Sequence, residues 1–157
     1  MWMNRSAPTL VAAVTALWAT AASAETPAAL CTRVGTDDTL RPVPRQMSDE
    51  VNALFHAKMP PATVSRSTVF RCVDRHVKVC TTGANLPCGK AERSKSPTAG
   101  TTAWCREHPE VTFVPAVATG HDTIYEWRCV GGTPRIGNQV LHTDPRGFVA
   151  EFWKDLR

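Results

Sequence analysis

Six cysteines constrain most strongly what this chain of 157 residues can fold into. All lie beyond residue 24, with at least seven residues between neighbours: Cys31, Cys72, Cys80, Cys88, Cys105 and Cys129. An even number of cysteines behind a secretion signal is typical of a disulfide framework. The alternative is metal binding, but structural zinc sites use closely spaced pairs such as C-x2-C. We therefore predict disulfides, with no metal site and no cofactor.

The N-terminus has the pattern of a secretory signal peptide over residues 1–24. Arg5 precedes an apolar run, residues 7–22, that is shorter than the ~20 residues of a membrane span. That length argues against the alternative of an uncleaved anchor. Ala22-Ser23-Ala24 supplies the small side chains that signal peptidase accepts. We predict cleavage before Glu25, no transmembrane anchor in the mature chain, and a protein exported to the periplasm or secreted.

The mature part has the length and charge of one ordinary domain. Residues 25–157 are 133 residues, which suits a single domain, and we expect a monomer. The formal net charge of +4 becomes +3 when Arg5 is removed. The densest basic stretch, residues 90–95, also contains Glu92. The clustered Lys and Arg of a nucleic-acid-binding surface are missing, so no nucleic-acid partner is expected.

One helix is predicted in the first half of the mature chain, after an irregular segment. Residues 25–45 contain three prolines and are expected to form an irregular lead-in tied down by Cys31. A helix is expected from Asp49 to Lys58, with Ser48 as its N-cap, ending before Pro60-Pro61. Apolar side chains at i, i+3 and i+4 give it one stripe that faces the core: Val51, Leu54 and Phe55.

Two segments that share the pattern aromatic-Arg-Cys-Val predict strands leading into hairpins, residues 68–73 and 124–130. The turns are Asp74-Arg75 and Gly131-Gly132, and the glycine pair readily adopts the positive φ of a tight turn. A two-residue first loop places Cys72 opposite Val77, Phe70 opposite Val79, and Cys80 opposite Val69 on the other face.

The register of the first hairpin limits which cysteines can pair. With a two-residue loop, Cys72 and Cys80 point to opposite faces and cannot bond. A loop of three or five residues centred on His76 would reverse this. The matching positions of Cys72 and Cys129 in their strands favour a bridge between these two.

In the second half of the chain, the sequence predicts a helix followed by a meander. Ser96 and Pro97 are expected to open a helix that runs to about Glu107. Residues 111–118 are apolar and extended, with Pro115 favouring an edge. The second hairpin, the turn Asp144–Gly147 and a final strand then follow, the last over Phe148–Trp153. The fold class is α+β, a small antiparallel sheet with one or two short helices.

Two histidines near predicted turns are the candidate catalytic residues. His121 lies beside Asp122, and a carboxylate can orient a histidine that acts as a general base. Neighbouring side chains in an extended strand point apart, however, so an ordinary structural role is favoured. His142 and Asp144 lie at the next turn, where Asp144 is expected to cap its own turn. A metal bound by His121, His142 and an Asp is conceivable only if the strand ends meet.

Aromatic side chains offer a candidate binding platform. Large rings in a domain of this size mostly build the core, and this role is favoured here. Tyr125 and Trp153 are the residues expected to be exposed, because each lies on a strand with mixed neighbours. They are the candidate binding residues for a sugar or a peptide.

Four motifs of the chain occur together: Phe70-Arg71-Cys72, Gly83–Cys88, Thr119–Cys129 and Asp144–Phe148. In this combination the chain resembles a group of small exported bacterial proteins without an assigned function. The resemblance covers Cys31 to the C-terminus, and its most specific part is Thr119–Cys129. It implies an envelope or secreted protein and supplies no catalytic residues. Those relatives carry Asp-Gly at the first hairpin turn, where this chain has Asp74-Arg75.

A non-enzymatic exported module that binds a protein or cell-envelope component is the function that the sequence favours. The chain lacks a matched nucleophile and base, and no G-x-S-x-G motif is present. The alternative is a small secreted hydrolase or metal-dependent enzyme centred on His121, Asp122 and His142. A purely structural envelope protein is the third hypothesis.

Overall fold

The computed structural model describes residues 25–83 and 87–156. The predicted signal peptide therefore lies outside the described residues. All six cysteines are paired, which confirms the predicted disulfide framework. The expected Cys72–Cys129 bridge is wrong, because the bonds are Cys31–Cys72, Cys80–Cys88 and Cys105–Cys129.

The described residues form short helices and strands that alternate along the chain. None of these helices is long and apolar enough to cross a membrane. The helices are α1 (Pro27–Val34), α2 (Ser48–Phe55), α3 (Pro61–Ser67), α4 (Ala99–Glu107) and α5 (Ala116–Thr119). The strands are β1 (Asp37–Pro42), β2 (Thr68–Val73), β3 (His76–Thr81), β4 (Tyr125–Val130), β5 (Thr133–Gln139) and β6 (Lys154–Leu156).

A four-stranded antiparallel sheet in the order β1-β2-β3-β6 is the centre of the fold, and β4 and β5 form a separate hairpin sheet. Helices α1 to α3 pack on one face of the larger sheet, where Val51 and Val64 contact the same cluster as Phe70. The other face is covered by the C-terminal segment through Phe148 and Trp153. The predicted α+β, disulfide-stapled architecture is confirmed.

The first hairpin has the predicted register. Cys72 pairs with Val77, Phe70 with Val79, and Val69 with Cys80. The loop has two residues, and both adopt positive φ, 50° at Asp74 and 69° at Arg75. Cys72 and Cys80 therefore point to opposite faces, as a two-residue loop requires. Consistent with this, each bonds to a different partner: Cys72 to Cys31 of α1, and Cys80 to Cys88.

The N-terminal segment is more regular than the sequence predicted. Residues 25–45 contain α1 and β1 instead of an irregular lead-in. Pro27 lies at the start of α1, where its missing N–H costs nothing, and the Thr26 hydroxyl caps the helix by accepting a hydrogen bond from the Ala29 N–H at 3.2 Å. The bond from Cys31 to Cys72 then fixes α1 on the sheet.

Helix boundaries also differ from the predictions. Ser48 is the first residue of α2 and not its N-cap, and α2 ends at Phe55, before His56 in the left-handed conformation. Pro60-Pro61 does end the preceding segment, but Pro61 also begins α3. Thr98 replaces Ser96 as the cap of α4: its hydroxyl accepts from the Thr101 N–H at 3.0 Å.

In the C-terminal third of the chain, one prediction is confirmed and two are wrong. The β4–β5 hairpin turns at Gly131-Gly132, as expected. Residues 116–119 form α5, whereas an extended stretch was predicted. The final strand is β6 and not Phe148–Trp153, and it pairs with β3, so the chain does not end in a meander. Only the sheet as a whole provides the edge on which β6 pairs.

Candidate functional site

The β4–β5 hairpin positions the first candidate site. Along β4, Trp127 and Cys129 are buried, and Cys129 is bonded to Cys105 of α4. Tyr125 continues the same alternation but lies at the end of the strand, where it is half-buried. Backbone bonds hold the preceding segment against β4: the Cys129 N–H donates to Val111 O and the Val114 N–H to Trp127 O, both at 2.8 Å.

The surface around Tyr125 is a groove of about 220 Å³ with unusually exposed apolar walls. Phe113 is 63% exposed and Val140 is 48% exposed, and both line it. Val117, on α5 beside the lining residue Ala116, is 81% exposed. We call this the Tyr125 groove, lined by Phe113, Val114, Ala116, Thr119, Gly120, His121, Thr123, Tyr125, Glu126 and Val140.

Charges at the Tyr125 groove are mainly acidic. Glu126 lines it and is exposed, and within the described residues it has no salt-bridge partner. Asp122 follows His121 on the exposed rim and is likewise unpaired there. Lys95 brings a cation close to the groove, with its Nζ 5.9 Å from the Tyr125 ring centre.

The predicted catalytic residues occupy different surroundings. His121 borders the Tyr125 groove, whereas the Nδ1 of exposed His142 lies 2.8 Å from Glu151 Oε1. Asp122 joins the backbone ladder, where its carbonyl accepts from the Glu92 N–H at 2.8 Å. Residues 25–83 and 87–156 contain no group of three His, Cys, Asp or Glu side chains placed to hold a metal ion. The hydrolase hypothesis stays a prediction.

Asp144 caps its own turn, as the sequence predicted. Its Oδ1 accepts from the N–H groups of Arg146 at 2.9 Å and Phe148 at 3.0 Å. Its Oδ2 also accepts from the Arg71 guanidinium. Burial alone would raise the pKa of Asp144, but the Phe148 N–H and the Arg71 charge outweigh burial and lower that pKa.

Arg71 marks the second candidate site. It lies on the face of the larger sheet that the C-terminal segment covers, opposite α1 to α3. Its side chain is only 2% exposed, and its Cζ lies 4.0 Å from the Phe148 ring centre and 4.6 Å from that of Trp153. Trp153 itself is 7% exposed, so the expectation of an exposed Trp153 is wrong. Its ring is needed to cover Arg71 and to contact Phe148 edge-on, with ring centres 5.5 Å apart.

Further charges surround Arg71 in one ionic cluster. Asp38 lies 3.8 Å from Arg71 Nη1 and accepts from Arg146 at 3.0 Å and Lys90 at 3.2 Å. The hydrogen bond from Arg146 is the main reason that the pKa of Asp38 is lowered. These residues come from distant parts of the chain, and sequence reasoning missed the cluster. The only sequence signal was a charged Arg71 inside the otherwise uncharged strand Thr68–Val73.

Comparisons with known proteins add no functional assignment. No protein-family model matches the chain, and neither a curated protein nor a solved structure matches it significantly. The resemblance to small exported bacterial proteins therefore stays a prediction. The features of the molecule that bear on its function are the Tyr125 groove and the surroundings of Arg71.

Proposed function

We propose that this protein is an exported, non-enzymatic binding module. Its Tyr125 groove holds a segment of a protein partner that presents an apolar side chain next to a Lys or Arg. One observation carries the proposal: Phe113 and Val140 are both strongly exposed and both line one groove, and exposed Val117 follows the lining residue Ala116.

Clustering is what distinguishes these side chains from ordinary surface residues. Single exposed apolar residues are normal on any soluble protein, whereas a contiguous apolar surface favours an interaction site. Tyr125 adds an aromatic ring with a polar tip, a residue type that is enriched at interfaces. Phe113 and Val140 are 63% and 48% exposed, so complete burial of the remaining surface against a partner would contribute roughly 1–2 kcal/mol each.

Charge complementarity defines the partner further. Glu126 and Asp122 are unpaired within the described part of the chain, and both stand at the edge of the apolar surface. A Lys or Arg of the partner would pair with Glu126 while its apolar neighbour occupies the groove. Such rim charges contribute mainly to selectivity and association rate.

The three disulfides support export, since structural disulfides form and persist mainly in oxidising compartments. In the bacterial envelope, a small stapled domain that withstands exposure to the medium suits a binding role. The signal peptide predicted for residues 1–24 agrees with this location.

A peptide library displayed on phage tests the proposed groove. We expect selection on the immobilised mature protein to enrich peptides that carry an aromatic or aliphatic residue beside Lys or Arg. The double variant Phe113→Ser/Val140→Ser should lose most of their binding. Val130→Ser is the matched control, because Val130 is 47% exposed but does not line the groove.

The contribution of the Glu126 charge to peptide binding is tested with a separate variant. Glu126→Gln should weaken binding of the enriched peptides by roughly twofold to fivefold, as expected for an exposed ion pair. Melting curves of every variant show that the fold is kept. Equal binding by Phe113→Ser/Val140→Ser and Val130→Ser, or enrichment of acidic peptides, would contradict the proposal.

A further inference from the structure

A second cavity, of about 490 Å³, lies between the larger sheet and the C-terminal segment. We call it the Arg71 cleft. Arg71 and Trp153 form its buried part, whereas Arg146 stands at its more exposed side, with 52% of its side chain exposed. It shares no lining residue with the Tyr125 groove and is lined by Thr36, Arg71, Val73, Asp74, Lys78, Asp144, Pro145, Arg146, Ala150 and Trp153.

Hydrogen-bond donors outnumber available acceptors in the Arg71 cleft. The Nε and Nη1 of Arg71 and the Nε1 of Trp153 are buried without a hydrogen-bond partner. The carboxylates nearby accept hydrogen bonds from other groups: Asp144 accepts from Arg71 and from two backbone N–H groups, and Asp74 accepts from the Thr36 hydroxyl. Buried donors without acceptors are costly, so a group that brings acceptor oxygens would be favoured here.

Cations outnumber carboxylates among the residues that line the cleft, and Asp38 and Asp155, which are not lining residues, pair with Arg146 and Lys78. Arg71, Lys78 and Arg146 contribute three positive charges, and Asp74 and Asp144 two negative ones. A dianion such as phosphate would face both carboxylates at close range. A carboxylate carries less negative charge than phosphate and brings two acceptor oxygens for the unpartnered donors.

The cations at the exposed side can change partners at low cost. Lys78 pairs with Asp155 at 2.7 Å, and Arg146 pairs with Asp38 at 3.0 Å. In both pairs at least one side chain is half-exposed, and ion pairs of this kind stabilise a fold by ~1 kcal/mol or less. A ligand carboxylate can therefore take over Arg146 or Lys78 without unfolding the site.

From these observations we propose that the Arg71 cleft binds a carboxylate group. Arg146 and Lys78 contact it from the exposed side, and the positive charge of Arg71 stabilises it from below. The carboxylate belongs either to a peptide C-terminus or to an acidic sugar, since both present the same chemistry. Neither source of the carboxylate involves the Tyr125 groove, so a test of this site does not depend on the proposed function of the groove.

NMR titration of the ¹⁵N-labelled protein tests the site directly. Acetate is the probe and acetamide its neutral counterpart, with ionic strength held constant by chloride. We expect acetate to shift the Trp153 indole N–H and the Arg71 Nε–H saturably, with a dissociation constant on the order of millimolar. The indole N–H of Trp104 is the internal control, because it is also buried and unpartnered but does not line the cleft.

Variants at the exposed side link the shifts to the cleft. Arg146→Gln should weaken acetate binding roughly threefold to fivefold. Arg135→Gln removes the same charge from the exposed side of β5, away from the cleft, and should leave binding unchanged. Titrations with N-acetylalanine and with glucuronate then distinguish a peptide carboxylate from that of a sugar.

Several results would overturn the proposal. Acetamide shifts equal to those of acetate would mean that the negative charge is not recognised. Parallel movement of the Trp104 and Trp153 signals would show a general solvent effect. An equal loss of acetate binding in Arg146→Gln and Arg135→Gln would show that the binding does not depend on the cleft. The absence of a saturable shift would show that the cleft does not bind acetate.

Discussion

Arg71 stands where the alternation of β2 would otherwise bury an apolar side chain. Val69 shares its face of the strand and packs with Phe148 and Trp153, and Arg71 lies among the same rings. An isolated buried charge would be expensive, so Arg71 needs both the ring faces and the carboxylates around it. The residue thus ties the C-terminal turn to the sheet and links β2 to Asp144 across 73 positions of sequence.

Acid should weaken this link between Arg71 and Asp144. The folded-state pKa values of Asp38 and Asp144 are lowered, so their contribution to stability is complete above the unfolded value of ~4 and is lost as the pH falls through the folded values. We expect the melting temperature to drop below about pH 4. Asp144→Asn should cost about 3 kcal/mol at neutral pH, because it leaves Arg71 buried without its main partner, and should flatten that acid dependence.

Thermal melts from neutral to acidic pH measure both effects. Asp155→Asn is the control, because Asp155 pairs with Lys78 in a more exposed setting and should cost little. Parallel pH profiles for the wild type and Asp144→Asn would show that the lowered pKa of Asp144 does not contribute to stability.

At the scale of elements, the disulfides compensate for the short helices. Helices of seven to nine residues, such as α1, α3 and α4, are marginal on their own and need tertiary contacts. Cys31 fixes α1 to β2, and Cys105 fixes α4 to β4. The third bond, Cys80–Cys88, closes a local loop next to β3 and spans only eight positions.

Removal of the long-range bond should therefore destabilise the protein more than removal of the local one. Cys31–Cys72 spans 41 positions and Cys80–Cys88 spans 8. Loop-closure entropy gives about 4 kcal/mol for the first and about 2.5 kcal/mol for the second. Urea unfolding of Cys31→Ala/Cys72→Ala and Cys80→Ala/Cys88→Ala measures the two losses. A larger loss for the local bond would mean that strain or unfolded-state structure governs these bonds.

At the scale of the whole molecule, three apolar clusters replace one large core. One lies under α1 to α3, one under the C-terminal segment and one between α4 and the β4–β5 hairpin, and each contains at least one disulfide-bonded cysteine. Small separate clusters bury less surface per residue than a single core, so cross-links have to supply part of the stability. The two proposed binding surfaces, the Tyr125 groove and the Arg71 cleft, lie on the outside of this divided interior.

The predicted export would bring the chain into an oxidising compartment, where its three disulfides can form and persist. Protein recovered from the periplasm or medium should begin at Glu25, with a mass lower by the six hydrogens that three disulfides remove. N-terminal sequencing and intact-mass measurement check this. Strong reductant should lower its melting temperature. An intact N-terminus would contradict cleavage before Glu25. Six free thiols in protein from its native location would contradict the predicted export and the role of the disulfides.

The sequence alone determined the features that depend on neighbours along the chain. It predicted the disulfide framework, the α+β class, both hairpins and the register around Asp74-Arg75, because strand alternation and two-residue turns are local geometry. Asp144 was likewise predicted to cap its own turn. Tyr125 and His121 were singled out, but the exposed apolar residues beside them were not.

Only the tertiary structure decided the rest, because those features depend on residues far apart in sequence. Cysteine pairing requires the three-dimensional placement of α1 and α4, and β6 is too short to pair with β3 without the sheet edge. Trp153 is buried because Arg71 and Phe148 lie beside it, which no local pattern reveals. Packing against distant elements, and not local propensity, fixed the marginal helices and assembled both the groove and the cleft.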